Sequence, residues 1–94
     1  MITAIVNFPL PADVTLEQAK EKFESTAPNY EGMPGLVRKY YLFGDGVGGG
    51  VYLWESREAA DAVYTDEWRA MITEKYGAAP DVKYFDSPVI VDNS

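Results

Sequence analysis

The chain has 94 residues (10.4 kDa), of which 47% are apolar and 24% charged, and 8 Lys and Arg against 15 Asp and Glu leave a net charge of −7. That length allows one domain, residues 1–94, which buries about 60–65% of the surface it exposes when unfolded. The acidic balance opposes a phosphate backbone or an anionic membrane as partner. With no cysteine and no histidine, disulfides, thiolate nucleophiles, zinc–thiolate sites and every Ser-His-Asp or Cys-His mechanism are excluded.

Residues 1–10 lack the basic start of a secretory leader, and their apolar run ends at Pro9 and Pro11. No stretch approaches the roughly 20 apolar residues of a membrane span. A cytoplasmic protein is the expectation.

Ile2 to Phe8 is rich in Ile, Val and Phe and reads as a strand closed by Pro9. Neither of its two faces, Ile2/Ala4/Val6/Phe8 and Thr3/Ile5/Asn7, is properly polar, so both are expected to be covered. Thr15 and Gln18 have the form of a capping box, and Leu16, Ala19, Phe23 and Ala27 make one stripe of a first helix. Pro28 is expected to stop that helix, with a loop to Gly35. Leu36 to Phe43 is a second strand, with Leu36, Arg38, Tyr40 and Leu42 on one face and Val37, Lys39, Tyr41 and Phe43 on the other. A glycine-rich turn over residues 44–49 then leads into a third strand, Gly50 to Glu55. Ser56 caps a second helix, which can kink or restart at Thr65-Asp66, with Val63, Trp68 and Met71 facing the core and Gly77 ending it. Asp81 to Val91 is the last strand, interrupted by Pro88.

The order β-α-β-β-α-β defines an α+β, ferredoxin-like fold with a four-stranded antiparallel sheet. Two helices cover only one face of such a sheet. The other face would expose much of its apolar surface, which is unusual for a soluble monomer. A homodimer joined face to face is expected.

The run DGVGGG is not a phosphate cradle, because a strand rather than a helix follows it and no Gly-Lys-Ser/Thr is present. No spacing of carboxylates suggests a metal. Phe8, Phe23, Phe43 and Phe85 read as core filling. Tyr40, Tyr41, Tyr52, Trp54, Trp68 and Tyr84 carry polar tips and are candidates to line a pocket for a flat aromatic ligand. Asn7 is a carboxamide among apolar neighbours. It either bonds an adjacent loop or anchors a ligand in an apolar cavity. An RNA-recognition domain shares the strand order, but the charge opposes it and the GGGVYLW strand lacks a basic lead residue.

The lead-in Pro34-Gly35-Leu36, the strand Gly49-Gly50-Val51-Tyr52-Leu53-Trp54 and the run Glu55-Ser56-Arg57-Glu58-Ala59 carry a resemblance over nearly the whole chain. So do Tyr64-Thr65-Asp66-Glu67-Trp68 and Tyr84-Phe85-Asp86. The sequence resembles the YdhR-like monooxygenases of the dimeric α/β-barrel superfamily, which also holds the antibiotic-biosynthesis monooxygenases. The resemblance implies a homodimeric barrel with a cavity between the sheet and helices of each subunit. It also implies oxidation of a small phenolic, quinol or polycyclic aromatic substrate by dioxygen, with no metal, flavin or haem cofactor. Asn7 matches a first-strand asparagine that contacts the reacting oxygen in several relatives. Tyr41 and Tyr52 become candidates for hydrogen bonding to substrate, and Trp54 and Trp68 for stacking. Haem-degrading relatives use a histidine that this chain lacks, and no residue stands out as a general base. A non-catalytic dimer that binds a hydrophobic small molecule, or a stress-response protein of the same superfamily, is the alternative.

Overall fold

In the computed structural model, which describes residues 1–94, seven elements follow the chain. They are β1 (Ile2–Pro9), α1 (Leu16–Tyr30), β2 (Leu36–Gly44), β3 (Val47–Trp54), α2 (Arg57–Asp61), α3 (Asp66–Tyr76) and β4 (Asp81–Asp86). The strands form one antiparallel sheet in the order β2-β3-β1-β4. The ferredoxin-like expectation is met, with its second helix divided in two. Side-chain caps mark the helix starts. Thr15 and Gln18 form the reciprocal capping box of α1. Ser56 accepts from Ala59 N–H, and Thr65 accepts from Trp68 N–H to restart the chain as α3.

All helices pack on one face of the sheet. Ala4, Val6 and Phe8 from β1 and Tyr52 and Trp54 from β3 are buried there, against Ala19, Phe23 and Tyr30 of α1 and Trp68, Ile72 and Tyr76 of α3. The apolar stripe of α3 is therefore Trp68/Ile72/Tyr76, and Met71, one residue off that stripe, is exposed. By alternation, the outer face carries Thr3, Ile5 and Asn7, Tyr40, Val51 and Leu53, and Phe85. Phe85 is thus exposed rather than core, and Phe43 lies exposed near the end of β2, an edge strand.

Four local expectations change. Pro28 does not stop α1: the helix runs on to Tyr30. Proline so near a helix end removes one backbone bond, and the buried Tyr30 side chain, which accepts from the Trp68 indole N–H at 3.1 Å, holds the final turn. The hairpin turn is only Asp45-Gly46, both with positive φ (51° and 75°), as a type I′ turn requires. Gly48, Gly49 and Gly50 therefore belong to β3 and are buried in it. A β-bulge lies at Val37, so that Leu36 pairs with Trp54 and Arg38 with Leu53. The bulge places Leu36 on the same face as Lys39 rather than Arg38. Finally, β4 ends at Asp86, and Ser87 to Ser94 has no regular structure. This tail crosses the outer face, held by Thr3 Oγ1–Ser87 Oγ at 2.5 Å and by Arg38–Asp92 at 3.4 Å. No helix is long and apolar enough to cross a membrane.

Candidate functional site

Lys39 is the unusual residue of the helix-facing side. It stands opposite Tyr52 in the β2–β3 register. Its Nζ lies 3.4 Å from the ring centroid of Tyr30, 3.8 Å from that of Tyr41 and 4.5 Å from that of Tyr52. These rings come from α1, β2 and β3. Gly50 makes the space, since a Cβ there would sit 3.2 Å from Lys39 Cε and 3.1 Å from Tyr52 Cε1.

The cage is fixed from behind. Trp68 Nε1 donates to Tyr30 Oη at 3.1 Å. Thr26 Oγ1 gives its one proton to the Phe23 carbonyl at 3.0 Å, so Tyr41 must be the donor in its 2.8 Å bond to the same hydroxyl. The Tyr41 ring also stacks on Phe23 with centroids 4.7 Å apart. Behind Tyr52, the parallel ring of Trp54 lies 6.0 Å away, and its indole donates to Tyr64 Oη at 3.1 Å.

A half-buried lysine ordinarily finds a carboxylate. Lys39 has none: the ion pairs of the chain are Arg38–Asp92 and Arg57–Asp61. Burial pulls its ammonium down from 10.5 to about 7. The electron-rich ring faces act in the opposite sense and favour the charged form. The amine is therefore poised between its two protonation states. Burial pushes the phenols of Tyr41, Tyr52 and Tyr64 up and that of Tyr76 up to about 12, so these rings stay neutral.

Three hollows meet at Tyr41. A groove of about 460 Å³ between α1 and β2 is walled by Leu16, Phe23, Ala27, Tyr41 and Phe43. A second, of about 330 Å³, opens beside Ala27 and Tyr41 toward Tyr30, Glu31, Leu36 and Lys39. Between sheet and helices there remains only a void of about 10 Å³, bordered by Lys39, Tyr41, Tyr52, Trp68 and Tyr76. Such a void holds about one water.

Of the residues singled out in the sequence, Tyr41, Tyr52 and Trp68 gather around this void. Trp54 is fully buried behind Tyr52 and borders none of the three hollows. Asn7 does not join them. Val6 and Phe8 take the helix-facing side of β1, so strand alternation turns Asn7 to the outer face, where it pairs with Gly49 and Asp81. One cavity cannot engage both Asn7 and Tyr52. Sequence reasoning missed Lys39 and Tyr30. Lys39 had a signal, because it alternates with Tyr41 on one face of β2. Tyr30 was hidden by ending the helix at Pro28.

No protein-family model matches the chain, and no curated protein matches it in sequence. Solved structures do. SnoaB, a cofactor-independent oxygenase from Streptomyces nogalater, is similar at 17% identity with a TM-score of 0.66, over 96% of this chain and 95% of that one. The ActVA-Orf6 monooxygenase of Streptomyces coelicolor, in complex with nanaomycin D, is similar at 18% identity and TM-score 0.69, over 99% and 92% of the two chains. MhuD, a heme degrader from Mycobacterium tuberculosis, gives 20% identity and TM-score 0.74 over 98% and 100%.

The fold is that of the antibiotic-biosynthesis monooxygenases.

Within the antibiotic-biosynthesis-monooxygenase fold, this chain fills the space under its helices with aromatic rings. MhuD holds two hemes in its active site. Here aromatic rings leave about 10 Å³, no room for a porphyrin, and the sequence offers no histidine or cysteine to ligate iron. The open hollows lie instead between α1 and β2, and Ala27 and Tyr41 are the walls they share.

Proposed function

We propose that the chain is a cofactor-independent monooxygenase that oxidises a small phenolic, quinol or polycyclic aromatic substrate with dioxygen at the α1–β2 mouth. The observation that carries this reading is Tyr41. Its ring separates two grooves of about 460 and 330 Å³, sizes suited to a small aromatic ligand, from the closed ring cluster behind it. A flat substrate lies in the grooves against the edge of Tyr41, whose faces are taken by Phe23 and Lys39, and the neighbouring rings exclude water from the reacting carbon. The fold shared with SnoaB and ActVA-Orf6 supports the reaction class. The narrower YdhR-like likeness and a cytoplasmic location belong to the same proposal. Tyr52 and Trp68 back the site from within, and Trp54 supports Tyr52 by packing. Asn7, on the outer face, reaches a ligand only from that side of the sheet.

Dioxygen uptake against a panel of quinols and hydroxylated naphthalenes and anthracenes tests this reading. Uptake should persist with chelator, fall about ten-fold or more in Tyr41→Ala, and be unchanged in Asn7→Ala. Binding without turnover is a second reading, favoured by the 10 Å³ interior, which leaves the ligand in grooves open to solvent rather than in an enclosed cavity. Quenching of tryptophan fluorescence by the same compounds, with no uptake, would establish it.

The reading includes a homodimer joined through the outer face. Tyr40 and Phe85 are about half exposed there, and the tail adds Val89 and Val91 at 80% and 79% exposure. Light scattering should give twice the chain mass, and Leu53→Glu with Ile5→Glu should return the monomer. A monomeric wild-type protein at micromolar concentration would remove this part.

A further inference from the structure

We infer that Lys39 is the proton acceptor and counter-ion for an acidic aromatic hydroxyl group, so that the preferred ligand is a hydroxyarene that binds as its phenolate. The inference deepens the proposed function and takes from it only the aromatic nature of the ligand. Four observations carry it. Lys39 is enclosed by three tyrosine rings at 3.4, 3.8 and 4.5 Å, yet has no carboxylate partner in a chain with 15 acidic residues. Lys39 lines both the interior void and the 330 Å³ groove, so its side chain lies between the ring cage and a space open to a ligand. That groove has aromatic walls in Tyr30 and Tyr41, which accept a flat ring. The cage offers ring faces, which hold an ammonium but accept no proton, and burial holds the phenols of Tyr41 and Tyr52 in their neutral form.

The step balances within the pair. The ligand O–H bond breaks, its proton forms a new N–H bond on the neutral amine, and the electron pair stays on oxygen as phenolate. The resulting ammonium rests on the three ring faces and pairs with the new anion, both partly desolvated, where their attraction is strong. The other titratable groups around Lys39 are Tyr30 of α1 and Glu31 just after it, Arg38 and Tyr41 of β2, Tyr52 of β3 and Tyr76 of α3. Arg38 is engaged with Asp92 across the sheet. Glu31, at the end of α1, is exposed and forms no ion pair with Lys39. An aliphatic alcohol is too weak an acid to give up its proton to this amine, and a permanently charged carboxylate has none to give.

The test uses 4-nitrophenol, whose phenolate absorbs in the visible and whose neutral form does not, added to the intact protein at a pH below the ionisation of the free phenol. The expected result is the phenolate band on binding, with no net proton released to the buffer. Lys39→Met and Lys39→Gln should lose the band and bind roughly ten- to hundred-fold more weakly, the loss of one charge-assisted contact. Lys39→Arg, which cannot take up a proton, should bind phenolate with release of about one proton per phenol. A neutral-phenol spectrum in the wild type, or unchanged binding in both neutral variants, overturns the inference. Oxygen uptake undiminished in Lys39→Met likewise overturns it and leaves the oxygenase reading standing. Ionisation of the bound phenol with no oxygen uptake across the panel supports the inference and removes the oxygenase.

Discussion

Replacing Lys39 by methionine should make the folded chain more stable at neutral pH, and the gain should disappear as the pH approaches 10. In the unfolded chain this lysine binds its proton up to about 10.5, whereas in the folded chain burial releases it at about 7. Between those values the unfolded state holds more protons, so stability rises with pH through this window and is lowest and level below it. The distance between the two values sets an upper limit of about 5 kcal/mol. The ring faces favour the ammonium, so the rise stays below that limit. Above about pH 10 the slope reverses. Tyrosines of the unfolded chain then ionise, while burial holds Tyr52, Tyr64 and Tyr76 protonated in the fold. Wild-type stability from urea melts should therefore peak near pH 9–10, and Lys39→Met should remove only the rising limb. Parallel profiles for the two proteins would show that Lys39 carries no such penalty. A residue that destabilises its own fold at working pH fits a ligand-facing role, since a bound anion supplies the partner that the protein omits.

Gly49→Ala should be the most damaging single-methyl change in the sheet. A Cβ at Gly49 would lie 1.8 Å from the carbonyl oxygen of Val6 and 3.0 Å from the Cα of Asn7, both backbone atoms of the paired strand β1. No rotamer change relieves a backbone collision, so the β1–β3 ladder must part there. We expect a loss of more than about 3 kcal/mol. Amide exchange should quicken first at Asn7 and Phe8 and along Val47 to Gly49, at that end of the ladder. The same substitution at Gly44, where no atom lies within 4 Å and φ is ordinary, should change stability by about 0.5 kcal/mol or less. Equal effects at the two positions would show that the close approach to Val6 is relieved by strand movement.

These two residues also mark where the sequence stops being legible. Element order, the Thr15/Gln18 capping box and the restart at Thr65 are local patterns, and the structure repeats them. Tyr41, Tyr52 and Trp68 announce themselves as large rings with polar tips, and they do meet at one void. The face occupied by Asn7 stays open in the sequence, because Ile5 makes its side of β1 only half polar, although the wholly apolar Ala4/Val6/Phe8 set opposite is the one packed on the helices. The run Gly48-Gly49-Gly50 reads as a turn by composition. Its burial in β3 follows from tertiary demands, the carbonyl of Val6 on one side and the stem of Lys39 on the other. Lys39 acquires its character only when rings from α1, β2 and β3 arrive together, and no window of contiguous sequence contains that convergence. The tail beyond Asp86 continues as apolar sequence but not as strand, with Pro88 in its path.

The bulge at Val37 gives this site a margin for change in chain length. Leu36 and Arg38 already pair with the adjacent residues Trp54 and Leu53, so Val37 is a supernumerary residue whose removal would leave a regular ladder. Everything from Arg38 onward, Lys39 and Tyr41 included, would keep its side of the sheet. A one-residue deletion at Val37 is thus absorbed upstream of the lysine, and the ring cage stays in frame.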